Sequence, residues 1–209
     1  YILTEYILIM PNKRQINKLK TREKLFQTAK DVFLEKGFLD ASTAEIAQRA
    51  DVAHGTLFLH FESKENLIMS IFDEMLIQLT DELNDVLNDL SDMREMLEIY
   101  LDWLERNEVF YVIIARELPY YTDSLRRIIL GREGAARHYF IKAIRRGIQS
   151  GIYKEVDETS AVNFLFAAIH FYLRLKPAYA EGESVIQTKK DEIIHTFLTF
   201  ITRYANAGK

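Results

Sequence analysis

The sequence contains no cysteine, so disulfides and cysteine-ligated metals are excluded. That absence fits a reducing compartment, and the cytoplasm is the expected location. Proline is almost as scarce, with 3 residues, and glycine numbers only 8 in 209. So few breakers favour long helices over a turn-rich β fold. No stretch approaches the roughly 18 consecutive apolar residues that a membrane span needs, so no membrane partner is expected. The apolar start "YILTEYILI" is too short for a span and lacks a basic leader. Met10 followed by "PNKRQ" reads as a natural start, which places residues 1–9 outside the expected fold. Also missing are a sustained period-two pattern, a low-complexity segment and a fixed-period repeat. There is no phosphate loop, nucleophile elbow or zinc motif. The expectation is an all-α protein that is not an enzyme and needs no metal or cofactor.

The charge is unevenly spread. The chain carries a net −4, yet residues 11–64 hold 10 Lys and Arg against 7 Asp and Glu, while residues 65–209 hold 17 against 23. The basic charge is densest in "KRQINKLKTREK", where Lys13, Arg14, Lys18, Lys20, Arg22 and Lys24 face only Glu23. Such a segment ahead of a small helical unit suggests a polyanion partner, and a solvated helix start explains it equally well.

Apolar periodicity locates the helices. Leu25, Phe26, Ala29, Val32 and Phe33 form one stripe of a helix over about 20–36, closed by Gly37. Ser42 is the expected N-cap of a short helix to about Ala50, with Glu45 placed to complete a capping box. Asp51-Val52-Ala53 makes a tight turn, and His54–Phe61 is a third helix. Ser63 caps a fourth, running from Lys64 to about Leu90. Further helices cover about 92–106, 108–117, 122–150, 158–176 and 183–206, with Pro119 and Pro177 marking helix ends.

Two clusters look superficially like metal sites. Asp81, Asp85 and Asp89 share one helix face, and Glu192 and His195 have the spacing used by di-iron bundles. Neither has a second cluster to complete it, so both read as solvated surface.

The third helix combines two characters. Leu57 and Phe61, four residues apart, can hold it to a domain, while His54, Gly55 and Thr56 leave its start small and polar. Two short helices joined by a three-residue turn and backed by a first helix form a helix-turn-helix, whose second helix lies in the DNA major groove. Gly55 would then allow close approach to a phosphate or base edge. The competing physical reading is a packed helical corner in which Gly55 only relieves crowding.

"STAEIAQRADVAHGTLFLHFESKENL", residues 42–67, with "LFQTAKDVFLEKGF", residues 25–38, resembles the DNA-binding signature of the TetR family of bacterial transcription regulators. The resemblance implies an N-terminal three-helix helix-turn-helix DNA-binding domain, here residues 19–79 with the motif at about 42–61. A larger helical-bundle ligand-binding and dimerisation domain follows, here residues 80–209. It places phosphate-contacting hydroxyls at Ser42 and Thr43 and base-reading positions at His54, Gly55 and Thr56. The usual aromatic falls on Phe58, the frequent histidine on His60 and the phosphate-binding lysine on Lys64. Three positions depart from the family. Asp51 replaces a common glycine, and a left-handed conformation there would cost about 1 kcal/mol. Ala53 replaces a capping serine, a loss of about 1 kcal/mol. Phe58 replaces tyrosine, which together with Leu59 suggests contacts to thymine methyls.

The second half is rich in aromatics. Met96, Tyr100, Trp103, Phe110, Tyr111, Phe140 and Phe166 are candidates to line a pocket for a small hydrophobic effector, though each also reads as simple core. His170 and Arg174, with His138 and Glu117, are the candidate orienting polar groups. Phe164, Leu165, Ala168, Phe171 and Tyr172, with Ile194, Phe197, Leu198 and Ile201, offer more apolar surface than one bundle face needs. The resemblance implies a homodimer through the last two helices, bound to double-stranded operator DNA and released by an effector. The alternative is a helical carrier of hydrophobic ligands, or an interaction module, without DNA binding.

Overall fold

The computed structural model describes residues 12–87 and 92–202. The expectation for residues 1–9 and the last member of the Asp81 series, Asp89, lie outside the described residues. Among the described residues the only strand-like pairing is an isolated bridge between Tyr153 and Thr202; the rest of the regular structure is helical. The chain divides into two compact units, Tyr1–Ile68 and Met69–Lys209. The boundary lies within one helix, which also contains the boundary expected at residues 79–80.

The first unit holds α1 (Lys13–Lys36), α2 (Thr43–Arg49), α3 (His54–Phe61) and the start of α4 (Lys64–Leu87). Helix α1 begins earlier than its apolar stripe suggests. Asn12 accepts the Gln15 N–H at 2.9 Å while the Gln15 side chain accepts the Asn12 N–H at 2.7 Å, a complete capping box. Residues 12–20 are all exposed, so no periodicity marks them. Gly37 ends the helix at φ 86°, donating to the Phe33 carbonyl at 2.8 Å. Leu25, Phe26, Ala29, Val32 and Phe33 are buried, as are Ile46, Ala47, Leu57, Phe61 and Leu67, and α1 packs against α2 and α3.

The Ser42 cap forms as expected, accepting the Glu45 N–H at 3.1 Å. The second half of that box does not. The Glu45 carboxylate instead takes Lys36 and Arg49, each at 2.8 Å, and Arg49 also reaches Glu35 at 2.7 Å. Two basic partners outcompete one backbone N–H for a carboxylate, and the result ties α2 to the end of α1.

The second unit contains the rest of α4, then α5 (Met93–Arg106), α6 (Glu108–Glu117), a 3₁₀ turn (Leu118–Tyr120), α7 (Asp123–Gln149), α8 (Glu158–Arg174), α9 (Lys176–Tyr179) and α10 (Val185–Ile201). Side chains of Asp92, Thr122, Asp157 and Ser184 cap α5, α7, α8 and α10. The expected helix over 158–176 closes at Arg174. Pro177 then fits the first turn of the extra helix α9, where its missing N–H costs nothing. Helix α5 packs against α7 and α10, and α8 against α6, α7 and α10.

A buried carboxylate locks the start of α10. Glu108, 4% exposed, accepts Lys176 Nζ and Ser184 Oγ at 2.5 Å each, and the backbone N–H groups of Val185 and Ile186 at 3.3 and 3.1 Å. Burial pushes its pKa up, but Lys176, the Ser184 hydroxyl and the Ile186 N–H outweigh that and hold it below the usual carboxylate value. Gly147 is fixed by contact: a Cβ there would lie 2.0 Å from the Tyr153 ring.

Candidate functional site

Helix α3 is held from one side. Leu57 and Phe61 are buried, 0% and 3% exposed, on the face turned to α1 and α2. At about 100° per residue, Gly55, Thr56 and Leu59 lie on the opposite face. Leu59 is 81% exposed, and a Cβ added to Gly55 would meet no atom within 4 Å. Gly55 therefore relieves no crowding, and the packed-corner reading of this helix falls. Its open face holds one hydroxyl and otherwise only backbone and apolar surface.

One flank of that face is prearranged. Thr43 Oγ1 and His54 Nε2 lie 2.9 Å apart, and the His54 ring meets the Phe58 ring edge-on at 5.2 Å. With the proton on Nε2, His54 donates to Thr43, leaving the hydroxyl hydrogen of Thr43 free to donate outward. Phe58 is 40% exposed. Ser42 stands exposed at the head of α2, its oxygen already accepting the Glu45 N–H. On the other flank, His60 is half-buried beside α1. Burial first, then the nearby Lys18 and Arg22, hold its pKa below the ordinary imidazole value. The guanidinium of Arg22 lies 4.6 Å from the centre of the Phe61 ring.

The ends of α3 carry the departures read in the sequence. Asp51 has φ 51°, the left-handed conformation expected where the family commonly has glycine. Ala53 sits at the N-cap position and makes no side-chain cap. At the C-terminal end Glu62 has φ 63° and ψ −40°, and the Ser63 N–H reaches back to the Phe61 carbonyl at 2.7 Å. That geometry is close to a γ-turn of the rare, strained hand. Ser63 then caps α4 by accepting the Asn66 N–H at 3.0 Å. Lys64 Nζ donates to the Leu39 carbonyl at 3.3 Å, which holds it over the turn between α1 and α2.

In the second unit the structure gathers most of the candidate pocket residues into one aromatic cluster. Tyr100 touches Trp103, Phe140 and Phe166, with ring centres 6.3, 5.4 and 5.4 Å away; Trp103 touches Tyr111 at 5.3 Å, and Tyr111 touches Phe110 at 5.7 Å. All of these rings and Met96 are buried. The indole N–H of Trp103 is buried and has no hydrogen-bond partner among the described residues. Burial, then the charge of Glu133, pushes the Tyr100 hydroxyl far above its ordinary pKa.

His170 joins this cluster through a residue that the sequence reading missed. Its Nε2 lies 3.0 Å from Glu133, which is 7% exposed and also faces Arg137 at 3.5 Å. Arg137 in turn bonds Asn163 at 2.9 Å and stacks over Phe166 at 4.2 Å. The only signal for Glu133 was its place four residues before Arg137 on a helix rich in Arg. Glu117 is buried and accepts the Tyr121 hydroxyl at 3.0 Å, whereas His138 and Arg174 are exposed.

The surface expected to pair is partly core. Leu165, Ile194, Phe197 and Ile201 are buried, because the same stripe of α8 and α10 that faces outward also closes the bundle. What remains open is a groove between α8 and α10 flanked by Phe164 and Phe200, 67% and 41% exposed, with Phe171 at 47% nearby.

Residues 25–71 match the model of the bacterial regulatory proteins, tetR family. The fatty acid metabolism regulator protein of Bacillus subtilis is 25% identical over 150 residues, 69% of this chain and 77% of that protein. The transposon Tn10 TetC protein of Escherichia coli is 29% identical over 111 residues, 52% of this chain and 56% of its own length. The crystal structure of the transcriptional regulator FadR from Bacillus subtilis in complex with stearoyl-CoA superposes with a TM-score of 0.73 at 19% identity, covering 85% of this chain and 97% of that one. The last likeness establishes the shared fold, an N-terminal helix-turn-helix unit followed by a larger helical bundle. With the motif and its geometry, these matches show that residues 25–71 form a helix-turn-helix unit of the bacterial regulatory proteins, tetR family.

Proposed function

We propose that the protein is a ligand-responsive repressor that binds a palindromic operator as a homodimer and releases it when a small hydrophobic effector binds. The observation that carries this reading is the outer face of α3. It is a helix anchored on one side only, with Gly55 open to close approach and the prearranged Thr43–His54 pair beside it. One such head reads few base pairs, so two are needed for a specific site. The exposed rings of Phe164, Phe171 and Phe200 support pairing through α8 and α10.

Phe58 and Leu59 suit thymine methyl groups. Replacing thymine by uracil across a selected operator should weaken binding at one position or more; unchanged affinity at every position would end that part of the reading.

The effector is proposed to be a long acyl chain with a carbonyl head. The aromatic cluster in the second unit suits the chain. A carbonyl oxygen would satisfy the buried Trp103 N–H, which otherwise costs about 1–3 kcal/mol. The Bacillus subtilis FadR complex with stearoyl-CoA supports the same class. Within the second unit, α4 is tied to α7 by Asp73–Arg132 at 2.5 Å and to α6 by Phe72 on Phe110 at 4.9 Å. An effector that repacks α6 and α7 would therefore move α4 and, in the dimer, change the spacing of the two reading heads. Only a difference in effector affinity between the two spacings can drive this.

The test starts with duplexes selected by the protein from a randomised pool, then adds acyl-CoA of graded chain length. Trp103, the only tryptophan, should change its emission as the operator is released. Operator affinity that stays constant under saturating acyl-CoA would end the effector reading, and failure to select any duplex would end the DNA-binding reading.

A further inference from the structure

We propose that α1 carries a second DNA contact. Arg14, Lys18 and Arg22 form a phosphate-binding row that grips the sugar-phosphate backbone beside the groove entered by α3. This rests on the DNA-binding reading above and extends its footprint to a helix outside the helix-turn-helix motif.

The row is defined by geometry. At about 100° per residue, Arg14, Lys18 and Arg22 fall within roughly 60° of the centre of the α1 face that carries Leu25, Phe26, Ala29, Val32 and Phe33 into the core. The same row that is apolar where α2 and α3 cover it is cationic where α1 runs on past them. Contacts place it on the α3 side: Arg22 stacks on Phe61, and both Lys18 and Arg22 act electrostatically on His60. Lys13, Lys20 and Lys24 lie roughly opposite, turned away from α3.

Three further observations say that this row serves a partner rather than the fold. First, none of its three cations meets a carboxylate among the described residues, whereas Lys36, Arg49, Arg132, Arg145, Lys176 and Lys190 each hold one. Second, the charge sits at the wrong end of its helix. The first turn of α1 contains no acid and begins Lys13-Arg14, next to the positive end of the helix dipole, where cations are unfavourable. Third, residues 12–20 are all exposed, so this length of helix buries nothing. It is nevertheless started by a complete Asn12–Gln15 capping box. A polyanion laid along the row would relieve both the unpaired charge and the dipole. The matching polyanion is the duplex that α3 already enters, since phosphates flank the groove on both sides.

The experiment compares two double variants with equal charge change, Arg14→Gln/Lys18→Gln on the row and Lys13→Gln/Lys20→Gln opposite it. All four substitutions lie in exposed helix, and circular dichroism checks that each variant is folded. Affinity for a selected duplex and for an unrelated duplex of equal length is measured across a salt series. Each phosphate contact contributes about 0.9 to the slope of log K against log salt. The row variant should flatten the slope by about 2 per reading head and weaken both duplexes by the same factor, leaving the preference between them unchanged. The opposite variant should change the slope by less than half as much. Equal effects from the two variants would mean a diffuse charge field and overturn the row, as would an unchanged slope in the row variant. A wild-type protein that binds no duplex would overturn the DNA-binding reading itself and the row with it.

Discussion

The two units use charge in opposite ways. In the first, Arg14, Lys18 and Arg22 of α1 meet no carboxylate among the described residues, and the open face of α3 carries almost no polar side chains. In the second, the acids that matter are buried and saturated: Glu108 holds four donors, and Glu133 sits between His170 and Arg137. A surface that must meet a long polyanion benefits from charge left uncommitted, because each cation contributes when counterions leave the nucleic acid. A helical bundle with an apolar core benefits from charge that is fully paired, because an unpaired buried charge is strongly destabilising. The difference separates binding from stability. Changes in the first unit should act on affinity, and changes in the second on folding.

The largest expected effect tests the second half of that statement. Glu108→Ala removes a carboxylate that gathers Lys176 and the first N–H groups of α10, at a cost of about 3 kcal/mol. Denaturant unfolding should show it. Hydrogen exchange should show the loss of protection in α6 and α10 while α1–α3 stay protected. If α1–α3 lose protection in step, the two units are one cooperative body and the comparison breaks. The same carboxylate gives an acid limb. Its folded pKa is depressed, so its contribution is complete above the ordinary glutamate value and fades as pH falls toward the lowered one.

Next in size is Gly55→Ala. The added methyl meets nothing within 4 Å, so stability should hold or rise by less than about 1 kcal/mol. Operator affinity should fall about tenfold, or 1.4 kcal/mol, because the methyl group occupies the space of closest approach. A variant that binds as tightly as the parent would show that this face of α3 does not touch DNA.

The smallest expected effect sharpens the boundary between the two behaviours. Burial first, then Lys18 and Arg22, lower the pKa of His60. Its folded pKa lies below its unfolded one, so its contribution to stability is complete above the unfolded value and declines as pH falls from there toward the folded value. Mild acid should therefore loosen the first unit slightly, and His60→Gln should abolish that dependence in thermal unfolding followed between neutral and mildly acidic pH. An identical pH profile in the variant would assign the effect elsewhere.

Much of the first unit was legible because its signals are local. Ser42 and Ser63 announce their helices within three residues, and the left-handed Asp51 stands where a motif commonly has glycine. The true start of α1 was hidden because eight exposed residues have no apolar rhythm; the overlooked cue was Asn12 followed by Gln15 at capping-box spacing. In the second unit the helices were readable from periodicity, but their partners were not. Glu108 meets Ser184 across 76 positions and Lys176 across 68, and no local pattern records a contact of that range. The aromatic residues could be named, yet only the structure separates the ring cluster around Tyr100 from exposed Arg174, or the outward Phe164 from the inward Phe197.

The turn at Glu62 has a mechanical consequence. Two residues separate α3 from α4, and one of them is held in a rare backbone geometry by the bond from Ser63 to Phe61. A linkage so short and so stiff contains no slack. Twisting the longer helix about its own axis must reappear at once in the shorter one, as a crank turns its handle. Under the proposed function, lengthening that joint by a single residue should leave both helices intact and uncouple effector binding from operator release.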